Sequence, residues 1–146
     1  MLDVRLLQSA PIPLDVELTC ANGELLALVG PSGSGKTSVS RSIAGLLPVA
    51  TGRIRLGDEV WFDSERSRVV PAEERLIGMV FQNYALFPHL TALDNVLLAG
   101  SPKLGRRARR EAARQLLAQM RLDGLVDRKP AELSGGQRQR VALARA

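Results

Sequence analysis

The stretch Gly30-Pro-Ser-Gly-Ser-Gly-Lys-Thr37 constrains this 146-residue chain more than any other, because its glycines, lysine and threonine stand in one specific spacing. It fits the pattern G-x-x-x-x-G-K-[ST], a loop that curls around phosphate. Gly30, Gly33 and Gly35 lack a Cβ, so successive N–H groups can turn inward around an anion. Lys36 supplies a mobile cation for the outer phosphates, and the Thr37 hydroxyl is suited to Mg²⁺. The loop as a whole, Gly30, Pro31, Ser32, Gly33, Ser34, Gly35, Lys36, Thr37 and Ser38, forms the candidate nucleotide cradle.

The flanks agree with that reading. Glu24–Val29 is a short apolar run of the kind that makes a buried strand. Lys36 to Leu46 carries apolar residues near helical spacing, so the loop runs from strand to helix. A helix N-terminus adds partial positive charge where phosphates would sit. The alternative at this point is a glycine-rich surface turn between two core elements.

Composition narrows the classes. Hydrophobic residues make up 45%, a globular proportion, and no window has the long uncharged apolar run of a membrane span. Cys20 is the one cysteine, which leaves no internal disulfide and suits a reducing compartment. The 20 Lys+Arg exceed the 15 Asp+Glu for a net charge of +5, while aromatics are only 3%. So few aromatics disfavour a base-stacking platform for single-stranded nucleic acid.

Along the chain, Leu2–Leu7 and the alternating Leu14–Leu18 read as strands, with Asn22-Gly23 as a turn. Gly52–Leu56 and Val60–Phe62 read as a hairpin around Gly57-Asp58, with Trp61 packed on a sheet face. Asp63–Glu74 reads as a polar loop, and Leu76–Phe81 as another buried strand. Gln82 opens an apolar-aromatic loop through Leu90, and Thr91 with Asp94 caps a short helix. The longest helix is expected over Lys103–Met120, with Leu104, Ala108, Ala112, Leu116 and Met120 as its apolar stripe. Its five arginines read as a solvated face in preference to a nucleic-acid stripe. Ser134 and Gln137 stand in capping-box spacing, so a helix should begin at Gly135. Gly135 and Gly136 either expose N–H groups to an approaching anion or simply ease the turn.

Three stretches in order, GPSGSGKT, FQNYALFPHLTALDNV and ELSGGQRQRVALARA, make the chain resemble the ATP-binding subunit of ATP-binding-cassette (ABC) transporters. The resemblance spans about Gly23 to Ala146. It implies an α/β P-loop fold of ABC type, incomplete here: N-terminal antiparallel strands, a core sheet around the P-loop and a helical signature subdomain. It divides the chain into an ATP-binding core, about 1–82 and 134–146, and a helical subdomain, about 83–133. It implies ATP and Mg²⁺ as ligands, with Lys36 and Gln82 catalytic, and Thr37 and Gln82 at the metal. Ser134, Gly135, Gly136 and Gln137 would meet the γ-phosphate of ATP held by a second ATP-binding subunit in a head-to-tail dimer. Tyr84–Leu90 would meet an integral membrane permease, with a solute-binding protein involved indirectly and no nucleic acid.

The resemblance thus implies an ATPase at the cytoplasmic face of the membrane that drives solute import, with molybdate or a related oxyanion as solute. The alternatives are a nucleotide-binding module without turnover, or a soluble ABC ATPase acting on nucleic acid or ribosomes. Two departures stand out. No aromatic precedes Trp61 to stack on adenine, and His89 lies before the signature, so it is not the family's switch histidine. Asp58-Glu59 is the only adjacent Asp-Glu pair and lacks the preceding apolar run. The acidic strand, the catalytic glutamate and the switch histidine are therefore expected beyond Ala146, which makes this an N-terminal fragment that binds ATP without hydrolysing it. Such a fragment is expected to be weakly stable.

Overall fold

The computed structural model describes residues 1–100 and 104–146. They form two units, Met1–Ile77 and Gly78–Ala146.

The first unit is built on a five-stranded antiparallel sheet, in the order β2-β1-β3-β4-β5. Its strands are β1 (Leu2–Gln8), β2 (Leu14–Cys20), β3 (Thr51–Leu56), β4 (Glu59–Asp63) and β5 (Arg68–Val69). Alternation decides which face is buried: Val4, Leu6, Leu14 and Ile54 point inward, while Arg5, Glu17 and Arg53 point out. A register shift after Ile54 brings both Trp61 and its neighbour Phe62 into the same core. Strict alternation would have sent one of them to solvent, and a bulge removes that conflict. Helix α1 (Lys36–Ile43) contributes Val39 and Ile43 to this core. Each fully buried side chain of this kind stabilises by roughly 1.5–3 kcal/mol. Trp61, 2% exposed, is thus a packing residue.

The second unit is helical: α2 (Ala92–Leu97), α3 (Arg106–Gln119) and α4 (Gly135–Arg145). Their core is Leu93, Val96, Ala113, Leu117, Leu122, Leu133 and Val141, with smaller residues between.

Two expectations need correction. Glu24–Val29 and Leu76–Phe81 are not strands. No strand among the described residues pairs with either, and Leu25, Val29 and Leu76 are 95%, 91% and 93% exposed. Apolar patterning shows what a segment can bury, whereas a strand exists only where a neighbour takes its backbone hydrogen bonds. The stripe on the long helix is also displaced. Ala113 and Leu117 are buried, while Leu104, Ala108, Ala112 and Leu116 are exposed. Steps of four residues advance 40° beyond a full turn, so that stripe winds off the packed face. The expected start at Lys103 lies outside the described residues. Helix α4 falls in the second unit and shares its core with α2 and α3.

Candidate nucleotide site

The phosphate-loop candidates lie together in the first unit. Gly33 and Gly35 have φ of +85° and +83°, conformations that side chains resist, and these let the loop double back. Gly35 is also held by packing: a Cβ there would lie 2.8 Å from Leu14 Cδ2. Gly35 is the N-cap of α1, yet no side chain caps that helix. The first N–H groups of α1 therefore have no side-chain acceptor, and their dipole favours an anion. Lys36 Nζ arches over the loop and donates to Gly30 O at 2.8 Å, Pro31 O at 2.6 Å and Ser34 Oγ at 3.2 Å. Pro31, Ser32, Ser34 and Thr37 are exposed, so the Thr37 hydroxyl is accessible at the first turn. Ser38 is buried, at 8% exposure, which leaves its backbone as its contribution to an exposed ligand.

At the other end of α1 sits a residue that sequence reasoning missed. Arg75 is 6% exposed and donates to Ser42 O at 3.0 Å, Ile43 O at 2.6 Å and Val70 O at 3.0 Å. Its guanidinium also lies 5.7 Å from the Trp61 ring centroid. A cation on the last carbonyls complements the helix dipole, and burial lowers the guanidinium's proton affinity from its ordinary value. Arg75 thereby joins the far end of the phosphate-loop helix to the sheet. Polar composition had marked its neighbourhood as a surface loop, and no periodicity identifies a side chain that bonds carbonyls 32 and 33 residues away.

In the second unit, Gln82 is exposed at the start of a turn. The next residues take an unusual path, with Tyr84 and Ala85 at φ +61° and +45°. Arg145, near the end of α4, donates to Ala85 O at 2.6 Å and Tyr84 O at 2.9 Å, which holds that turn. Further along, Asn95 is completely buried; its Oδ1 accepts from Phe87 N at 2.8 Å. Its amide nitrogen donates to Phe87 O, Leu90 O and Thr91 O. One α2 side chain thus orders Phe87–Thr91, the part of the loop where Phe87 and His89 stand exposed edge to face.

The signature stretch begins with a reciprocal cap. Ser134 Oγ accepts from Gln137 N at 3.2 Å, and Gln137 Oε1 accepts from Ser134 N at 2.8 Å. This occupies Gln137 with the helix itself. Gly135 and Gly136 are exposed, with no atom within 4 Å of a Cβ built on either, so their backbone can be approached closely. Just upstream, Glu132 accepts from Lys129 N at 2.7 Å and from Arg128 at 3.0 Å. The backbone bond, then the Arg128 bond, holds its carboxyl below the usual carboxylate range. The candidates therefore form two groups, Gly30–Ser38 in the first unit, and Gln82 with Ser134–Gln137 in the second.

The family model described as ABC transporter matches residues 14–146. A sulfate/thiosulfate import ATP-binding protein of Halalkalibacterium halodurans is 48% identical over 137 residues, 90% of this chain and 37% of that protein. An Fe(3+) ions import ATP-binding protein of Rhizobium meliloti is 49% identical, over 90% of this chain and 36% of its own length. A trehalose/maltose import ATP-binding protein of Thermococcus litoralis is 47% identical, again over 90% and 36%. The chain thus spans little more than a third of the curated relatives it matches. Among solved structures, a dimeric ATP-binding cassette in a post-hydrolysis state, bound to ADP and Pi, superposes with a TM-score of 0.78 at 29% identity. That match covers 99% of this chain and 68% of the other. With the phosphate loop, the capped glycine start and the family match in one chain, it belongs to the ABC transporter family.

Proposed function

We propose that this chain is the nucleotide-binding part of an ABC importer subunit that couples ATP binding and hydrolysis to solute uptake. The observation that carries it is the uncapped N-terminus of α1 under a loop closed by Lys36. Such a terminus binds polyphosphate through N–H groups, dipole and one ammonium acting together. Lys36 exchanges its loop carbonyls for the outer phosphate oxygens. Mg²⁺ fits the exposed Thr37 hydroxyl, because this ion keeps waters and takes ligands from phosphates in preference to an all-protein cage. With Thr37 holding it, Mg²⁺ would supply neutralisation of the charge that develops on the phosphates. Gln82 is the second candidate for the ion and for positioning water.

Gly135 and Gly136 present bare backbone to the phosphates of ATP on a second ATP-binding subunit, and the dimeric form of the similar cassette supports that arrangement. The Tyr84–Leu90 loop, ordered by Asn95 and Arg145, is the candidate seat for a membrane permease, and such a seat supports a position at the cytoplasmic membrane face. No described helix is long and apolar enough to cross a membrane itself. Import is supported by the similar proteins' names, and oxyanion uptake by the sulfate/thiosulfate proteins among them. Iron and sugar importers match equally well, so a molybdate-type solute remains the narrower part of this proposal.

Titration with a fluorescent ATP analogue tests the core of the reading. Lys36→Ala should weaken binding by on the order of 30- to 100-fold, the loss of a charge-assisted contact. Equal affinity in the two chains would sink it. Phosphate release by the 146-residue chain should stay at background, since Asp58-Glu59 lies at the β3–β4 turn and not after an apolar strand. Steady release abolished by Lys36→Ala would overturn that second statement.

A further inference from the structure

Helix α3 breaks several local rules at once. Arg106 and Arg107 stand in its first turn, where the dipole disfavours cations, and there is neither an acidic residue in that turn nor a side-chain cap. Arg106/Arg110 and Arg110/Arg114 are like-charge pairs at i,i+4, which destabilise an isolated helix. Among the described residues, none of Arg106, Arg107, Arg110 and Arg114 is within salt-bridge distance of a carboxylate, although Glu111 lies among them. All four are exposed. Arg109 is different: it donates to Leu97 O at 2.8 Å and serves the fold.

A face that local physics disfavours and the fold does not use is where a partner is expected. We propose that the arginine stripe of α3, Arg107, Arg110 and Arg114 with Arg106 at its head, docks on an anionic lipid headgroup surface. Positions i, i+3 and i+7 align three guanidinium forks along about 10 Å of one side of the helix. Guanidinium binds phosphate through paired N–H groups. The apolar side of the same helix, across from the arginines, favours lipid over nucleic acid. Ala108, Ala112 and Leu116 follow one another exposed on α3, and Leu104 precedes them. An open groove of about 350 Å³ there is lined by Val96, Leu104, Ala112, Leu116 and Leu143. Basic and aliphatic sides on one exposed helix suit a headgroup–acyl boundary, whereas α3 carries no aromatic to stack on bases. The choice of a membrane also rests on the importer reading above.

Co-sedimentation with vesicles tests this, using the 146-residue chain with and without ATP and following ATP-analogue binding in the same samples. Binding to phosphatidylglycerol vesicles should exceed binding to phosphatidylcholine vesicles and fall steeply as salt rises. The triple substitution Arg107→Gln, Arg110→Gln, Arg114→Gln should weaken it about fivefold per arginine, on the order of 100-fold together. Circular dichroism and ATP-analogue binding should be unchanged in that variant, and the triple Arg→Lys variant should retain most vesicle binding. Equal binding to both vesicle types, full retention in the triple Gln variant, or tighter binding to duplex DNA than to the anionic vesicles would overturn the proposal. Loss of ATP binding alone would strike the importer reading and leave the headgroup result standing.

Discussion

The starts of α1 and α4 are both glycine-containing helix N-termini, and they are built in opposite ways. At α1 the N-cap is Gly35 in the left-handed region with no capping side chain, so the first donors of the helix have no side-chain acceptor. At α4 the N-cap is Ser134, locked with Gln137 in a reciprocal box, and the glycines follow the cap. On the function proposed above, the first arrangement is the phosphate cradle itself, which a second subunit would cover. The second satisfies its own helix and offers only a bare surface, useful when something else brings the anion. Two glycine-rich motifs thus point to two roles because the capping chemistry differs.

Parallel alanine substitutions should break the likeness between them. Gly35→Ala forces a side chain into positive φ and 2.8 Å from Leu14 Cδ2, so we expect a loss of about 2–3 kcal/mol in stability. ATP-analogue binding should fall on the order of 100-fold with it, from distortion of the cradle. Gly136→Ala meets nothing within 4 Å, and there the thermal midpoint should hold or rise, by up to about 1 kcal/mol of helix propensity. Its single-chain ATP affinity should not change. Equal damage at the two positions in thermal melts and titrations would remove the distinction.

A smaller effect sharpens the comparison from behind α1. Arg75→Met keeps bulk but leaves Ile43 O without its donor and Ser42 O with the Gly45 N–H alone, and urea denaturation should show a loss of about 2 kcal/mol. ATP affinity should fall less than in Gly35→Ala, since the loop itself is intact. An unchanged urea midpoint would mean that the far end of α1 does not depend on Arg75.

The smallest effect concerns the α4 side. The carboxyl of Glu132 is held low in the folded chain, so its contribution is present above the unfolded pKa and lost as pH falls through the folded one. Glu132→Gln should therefore flatten a slight decline in stability on the acid side of the ordinary carboxylate range, visible in melts taken from neutral to acid pH. If both chains decline in parallel there, the hydrogen bonds of Glu132 contribute nothing measurable.

What could be read from residues alone was what neighbouring residues settle between themselves. The curl of Gly30–Thr37, the Thr91 and Ser134 caps and four of the strands follow from turn chemistry, i,i+3 side-chain reach and alternation, all local. ABC family membership was legible too, because three motifs in order are far more specific than any one. Tertiary structure decided the rest. It left Glu24–Val29 and Leu76–Phe81 without a strand partner among the described residues, and it turned α3 so that Leu117 and not Leu116 is buried. It also gave Arg75, Asn95 and Arg145 their carbonyl partners, for Arg75 and Arg145 across more than 30 residues of sequence. A hydrogen bond between a side chain and a distant backbone leaves no period in the sequence, and a strand needs a partner that its own residues cannot specify.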